Sequence, residues 1–182
     1  MAKYVDPILK QIKDILEKDG PAILRGRYGY GDPVVINKSQ LTQPMAFISF
    51  DNDYEIHDSA GGEVESNMAI VLCVVVDMTK DFNQGTDARS HLELVELVAA
   101  RHDDMTLRKG SIIGALRANQ DPGERVWIDA GEETTVEFDA TPRDKGLFTA
   151  EAIVRFKVKH AQFRPDRSEE HTSELQSLGA IS

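Results

Sequence analysis

The sequence predicts an α+β domain: a single mixed or antiparallel β-sheet of about four to five strands with two main helices packed on one face. Three stretches carry that expectation. Val5 to Leu16 repeats apolar residues at helical spacing, Met68 to Val76 is an unbroken apolar run, and Phe148 to Val158 alternates apolar and polar residues with a period of two.

The first helix opens at Asp6-Pro7, an N-cap followed by a proline that has no N–H to leave unsatisfied. Val5, Ile8, Leu9, Ile12, Ile15 and Leu16 form its apolar stripe, and Gly20-Pro21 stops it. Arg25 to Pro33 then reads as a glycine-interleaved loop with two Arg and two Tyr. It lacks the Lys-Ser/Thr pair and the preceding strand of a phosphate-binding loop. It is either an exposed turn or a partner contact made by Arg25, Arg27, Tyr28 and Tyr30, residue types that favour interfaces.

Pro44 to Ile56 begins as a strand and becomes alternating. Ile48, Phe50, Asn52 and Tyr54 point one way, and Phe47, Ser49, Asp51, Asp53 and Glu55 the other. The acidic row, with His57 and Asp58 nearby, does not make a calcium loop, because Ile56 stands where that loop needs glycine. Ser59 to Glu63 turns the chain into an antiparallel hairpin with Met68–Val76. These nine apolar residues, rich in Val and Ile, fit a central strand buried on both faces, with Cys73 acting as a small hydrophobe.

A second helix follows, capped by Thr86 or Asp87, with a stripe of Leu92, Val95, Val98, Ala99 and His102 broadened by Leu94 and Leu97. His91 and His102 lie about three turns apart and cannot share a metal. Gly110 to Arg117 reads as a short further helix. Arg125–Ala130 and Thr134–Asp139 read as strands around a Gly131-Glu-Glu turn, with Trp127 in the core or at an interface. In the closing strand Arg155, Lys157 and Lys159 recur about 6.5–7 Å apart on the wet face. If the strand holding Glu137 and Asp139 is its antiparallel neighbour, these charges pair across the sheet. If not, the stripe is open to a partner or lines a DNA channel.

Composition narrows the function classes. The 182 residues suffice for one domain, expected over residues 1–166. A formal charge of −10 and a pI near 4.9 argue against a surface that grips nucleic acid broadly. One cysteine makes an intramolecular disulfide impossible. The longest apolar run is about half a membrane span, so the expected protein is soluble and unexported. No Gly-x-Ser-x-Gly elbow, His-Glu-x-x-His helix, Walker loop or Cys/His cluster occurs, so neither a cofactor nor catalysis is expected. Arg167-Ser-Glu-Glu-His-Thr-Ser-Glu-Leu-Gln-Ser177 resembles the translation of a sequencing-library adapter. Residues 167–182 are therefore set aside as an artefactual, disordered tail. They carry one Arg and three Glu, so without them the charge moves only from −10 to −8.

The element order over Tyr4–Pro165 resembles the tail terminator (tail completion) proteins of tailed bacteriophages. The shared features are the amphipathic first helix, the strand Pro44-Met-Ala-Phe-Ile-Ser-Phe, the very apolar second strand, a helix, and the closing strand Ala152-Ile-Val-Arg-Phe-Lys-Val. The chain departs from that pattern in its Gly/Tyr/Arg loop and in the short helix near Ser111–Leu116.

The resemblance implies a structural virion protein, assembled in the host cytoplasm, that forms a six-fold ring on the tail tube. Such a ring stops tube polymerisation, meets the head connector, and lets DNA pass without sequence-specific binding. Its contacts would come from Arg25, Arg27, Tyr28 and Tyr30, from Asp51, Asp53 and Glu55, and from Arg155, Lys157 and Lys159. The alternatives are another head–tail connector or neck protein, a tube or baseplate subunit, and a hydrolase using His57 with Asp51 or Asp53.

Overall fold

The computed structural model describes residues 5–31, 41–58, 63–79, 81, 89–120, 126–129, 132–143 and 147–163; the side chains of 52–58, 63–67, 127, 141–143 and 160–163 fall outside that description. The expected cap at Thr86 or Asp87, the Trp127 side chain and the tail from Arg167 therefore lie outside the described residues.

Helix α1 (Pro7–Asp19) starts where expected: Asp6 Oδ1 accepts from the Ile8 N–H at 2.8 Å, and the Gly20 N–H closes the last turn on the Leu16 carbonyl at 2.9 Å. Its buried stripe is Ile8, Leu9, Ile12 and Leu16. A 3₁₀ turn (Ala22–Leu24) leads to strand β1 (Tyr28–Tyr30), followed by β2 (Met45–Asp58) and β3 (Glu63–Asp77). Helices α2 (Arg89–Ala99) and α3 (Ile112–Ala118) precede β4 (Val126–Ile128), β5 (Thr135–Arg143) and the long closing strand β6 (Leu147–Phe163).

The strands make one six-stranded mixed sheet in the order β1-β2-β3-β6-β4, with β5 also paired to β6. That is one strand more than the upper expectation. The addition is β1, which pairs parallel to β2 through Tyr28↔Ala46 to Tyr30↔Ile48 where the sequence reads as a loop. Three residues are too few to show a period, so only the pairing reveals this strand. The other pairings are antiparallel. Among the described residues β4 and β5 do not pair with each other: Trp127 lies opposite Lys159, and Thr135 opposite Arg155, along one edge of β6.

β3 is central, as its composition requires. Ile70, Leu72, Val74 and Val76 pack under the helices, while Cys73 and Val75 are buried on the other face. The helix-side core joins them to the α1 stripe, to Leu94, Leu97 and Val98 of α2, to Ile112, Ala115 and Leu116 of α3, and to alternate residues of β6.

α2 is rotated from the expected stripe. Leu94, Leu97 and Val98 are its buried apolar residues, whereas Leu92 is 64% exposed and Val95 stands at the surface. The helix holds more apolar positions than one face can bury, and packing on β3, β6 and α3 selects among them. The second cluster, Leu41, Cys73, Val75 and Leu147 with Met45, Phe47 and Ile153 against it, lies on the sheet face away from the helices.

Candidate functional site

β1 is flanked by two glycines in the left-handed region, Gly26 (φ 72°) before it and Gly31 (φ 93°) after it. The Gly26 N–H donates to Glu17 Oε2 at 2.8 Å, tying the turn to α1. Arg27 donates through Nε to the Pro44 carbonyl at 2.7 Å and through Nη2 to the Gln43 carbonyl at 3.0 Å, so its guanidinium fastens the start of β2.

Tyr28 corrects the sequence reading most directly. It is 5% exposed and belongs to the core, so it is not a surface contact. Alternation along β1 sends Tyr28 inward and Tyr30 outward. Burial, with a further push from Glu17, raises the Tyr28 phenol far above its usual range, against a smaller opposing effect of Arg25. Arg25 and Tyr30 are exposed, and the Lys13 ammonium lies 5.4 Å from the Tyr30 ring centroid. Burial first, then Asp14 and Glu17, raises the Tyr30 phenol.

The acidic row is interrupted. Phe50 lies opposite Ile70 and Tyr54 opposite Met68, so Asp51, Asn52 and Asp53 bulge against Ala69 alone. Asp51 Oδ2 stands 3.7 Å from Arg155 Nε. Asp53 and Glu55 lie on β2 with side chains outside the described residues, as does His57.

The basic row is paired. Because β5 is the antiparallel neighbour of β6, Arg155 Nη1 donates to Glu137 Oε2 at 2.7 Å. Lys157 Nζ lies 3.4 Å from Glu132 and Lys159 Nζ 3.5 Å from Asp129. The hydrogen bond to Glu137 first, with the fields of Glu137 and Asp51 behind it, holds the Arg155 guanidinium above its usual value against an opposing desolvation that exceeds either field. Three cations face four carboxylates here, so this patch offers no cationic excess to a phosphate backbone.

The alternation of β6 hides one feature. Thr149 and Glu151 occupy expected wet positions but are 0% and 6% exposed, because Leu41 and Leu147 build an apolar cluster over that end of the sheet. Thr149 Oγ1 donates to Glu151 Oε1 at 2.6 Å, and Cys73 Sγ lies 3.8 Å from Glu151 Oε2. The only sequence signal was a doubly apolar β3, whose far face needs a cover. Nearby, Asp77 Oδ1 and Asp81 Oδ2 accept from the Thr79 and Ser90 N–H groups at the rim of a groove of about 540 Å³.

Among the described residues, no three His, Cys, Asp or Glu side chains are placed to hold a metal ion, and no helix is long and apolar enough to cross a membrane. The exposed residues include Arg25 and Tyr30 beside β1, Leu92 and Val95 on α2, and Phe138 on β5. The His91 ring meets Phe138 edge-on, with centroids 5.2 Å apart and planes at 65°. A scan of protein-family models and a search of curated proteins return no match to the chain.

Proposed function

We propose that this chain is a tail terminator of a tailed bacteriophage: a structural subunit that assembles as a ring, caps the tail tube and joins it to the head connector. The observation that carries the reading is the element order: an amphipathic helix, a proline-led strand, a doubly buried central strand, a helix and a long closing strand in one mixed sheet. Pro44, at the head of β2, is fastened by Arg27, and β6 spans the full length of β3. That order resembles the terminator pattern.

The mechanism is one of binding. A growing tube ends in unpaired assembly surfaces, and a terminator covers them while turning a different surface outward. A ring of identical copies needs two unlike patches on each copy. Arg25 and Tyr30 at the β1 edge and Phe138 with Val95 at the β5 edge supply candidates. The Arg155, Lys157 and Lys159 row is already paired with carboxylates of the same chain.

The test is to add the purified chain to tube protein that is polymerising. Tubes that stop growing, with this protein at their ends in electron micrographs, support the reading. Unchanged growth together with binding to head connector rings would assign the chain to the neck instead.

A further inference from the structure

The two lateral edges of the sheet carry opposite charge balances, and each presents an exposed aromatic ring. α1 packs on β1 and β2 at one edge, and Lys10, Lys13, Asp14 and Glu17 share one of its faces by their spacing. Together with Arg25 and Arg27, cations there outnumber carboxylates four to two, around a Tyr30 ring that is 37% exposed. At the opposite edge, among the described residues, Asp129, Glu132, Glu133, Glu137 and Asp139 outnumber Arg143, Arg155, Lys157 and Lys159 by five to four. Phe138 is 40% exposed there, and Val95, one turn on from His91, extends the apolar surface.

Backbone pairing is discouraged along β5, which among the described residues pairs only with β6. The Phe148 carbonyl accepts from the Met78 N–H, so the polar groups of Phe148 face away from β5 and those of its partner Pro142 face outward. Alternation turns Ala140, Phe138 and Val136 outward as well. Pro142 has no N–H to offer, and the Ala140 N–H is already taken by Asp139 Oδ1 at 2.7 Å. Two of the four outward N–H positions are thereby withdrawn, which weakens this edge for strand addition and favours side-chain contact as its means of association.

We infer that the protein associates with a second copy of itself head to tail, the acidic Phe138 edge of one copy against the cationic Tyr30 edge of the next. The inference rests on the ring reading and names the surfaces that close the ring. Opposite charge sets the register and speeds encounter, and the two aromatic rings supply the desolvated centre.

The full-length variants Tyr30→Cys and Phe138→Cys test it with a flexible bismaleimide, using the unaltered chain with its buried Cys73 as baseline. Lys13→Cys with Glu133→Cys provides a second pair, and circular dichroism matched to the unaltered chain confirms folding. Neither Tyr30→Cys nor Phe138→Cys alone should cross-link above baseline, whereas their mixture should give a product of twice the chain mass. A chain carrying both substitutions should give a ladder. Self-cross-linking of either single variant as efficient as that of the mixture would make the contact two-fold and overturn the inference. A ring-sized particle by light scattering, with neither mixture cross-linking, would overturn the edge assignment and leave the ring reading standing. A monomer that does not cross-link would overturn both.

Discussion

Replacing Arg155 by Met and Glu137 by Gln, singly and together, isolates the contact that decides how the basic row of β6 is used. The pair is hydrogen-bonded at 2.7 Å, and its side chains are 39% and 63% exposed. Solvent screening at that exposure limits the coupling to about 0.5–1 kcal/mol. Arg155 also lies 3.7 Å from Asp51, so Arg155→Met removes two partners and should cost more than Glu137→Gln. Urea unfolding, which adds no ions, reads the four stabilities, and the cycle gives the interaction free of each side chain's separate effect. Repeating it at about 1 M NaCl, where the screening length is about 3 Å, should reduce the coupling toward zero. A coupling below about 0.2 kcal/mol at low salt would refute the paired reading and return the row to a partner surface. So would a loss of self-association in Arg155→Met at unchanged stability.

Other positions give independent checks. Gly114→Ala drives a Cβ into the Arg108 carbonyl oxygen in the turn that caps α3, so overpacking should outweigh the gain in helix propensity and cost roughly 1–2 kcal/mol in urea unfolding. Tyr28→Phe removes a buried hydroxyl with no hydrogen-bond partner among the described residues, and should leave stability unchanged or raise it by up to about 1 kcal/mol. Asp104 is held below its ordinary value of 3.8, first by the Thr106 hydroxyl at 2.6 Å and then by the Thr106 N–H at 2.9 Å. Because the folded value is depressed, this stabilisation is complete above the unfolded value and is lost as pH falls through the folded one. In an NMR titration Thr106→Val should move the Asp104 midpoint upward; an unmoved midpoint would contradict the assignment.

The parts of the fold written in long periods were legible. The α1 stripe, the doubly apolar β3 and the alternating β6 appear where the sequence places them, because each pattern repeats often enough to name its element. What was not legible depended on neighbours. Tyr28 and Tyr30 are chemically alike, and only the pairing of β1 with β2 sends one into the core and the other to the surface. Glu151 reads as a wet residue by its parity in β6, yet a separate apolar cluster covers it. α2 offered two overlapping stripes, and packing exposed Leu92 and Val95. The charge row was legible as two alternatives, and strand adjacency supports the paired one. Arg25 and Tyr30 were legible as candidates from the Gly/Tyr/Arg loop, whereas the exposure of Phe138 on β5 had no motif to announce it, since exposed residues at an edge follow from topology.

Self-association into a ring is the central claim, and the mass of the full chain in solution tests it most directly. Light scattering on a sizing column should give a discrete particle close to six times the 20.2 kDa chain mass. A single monomeric peak at every concentration, with no added mass when tube protein is supplied, would contradict it.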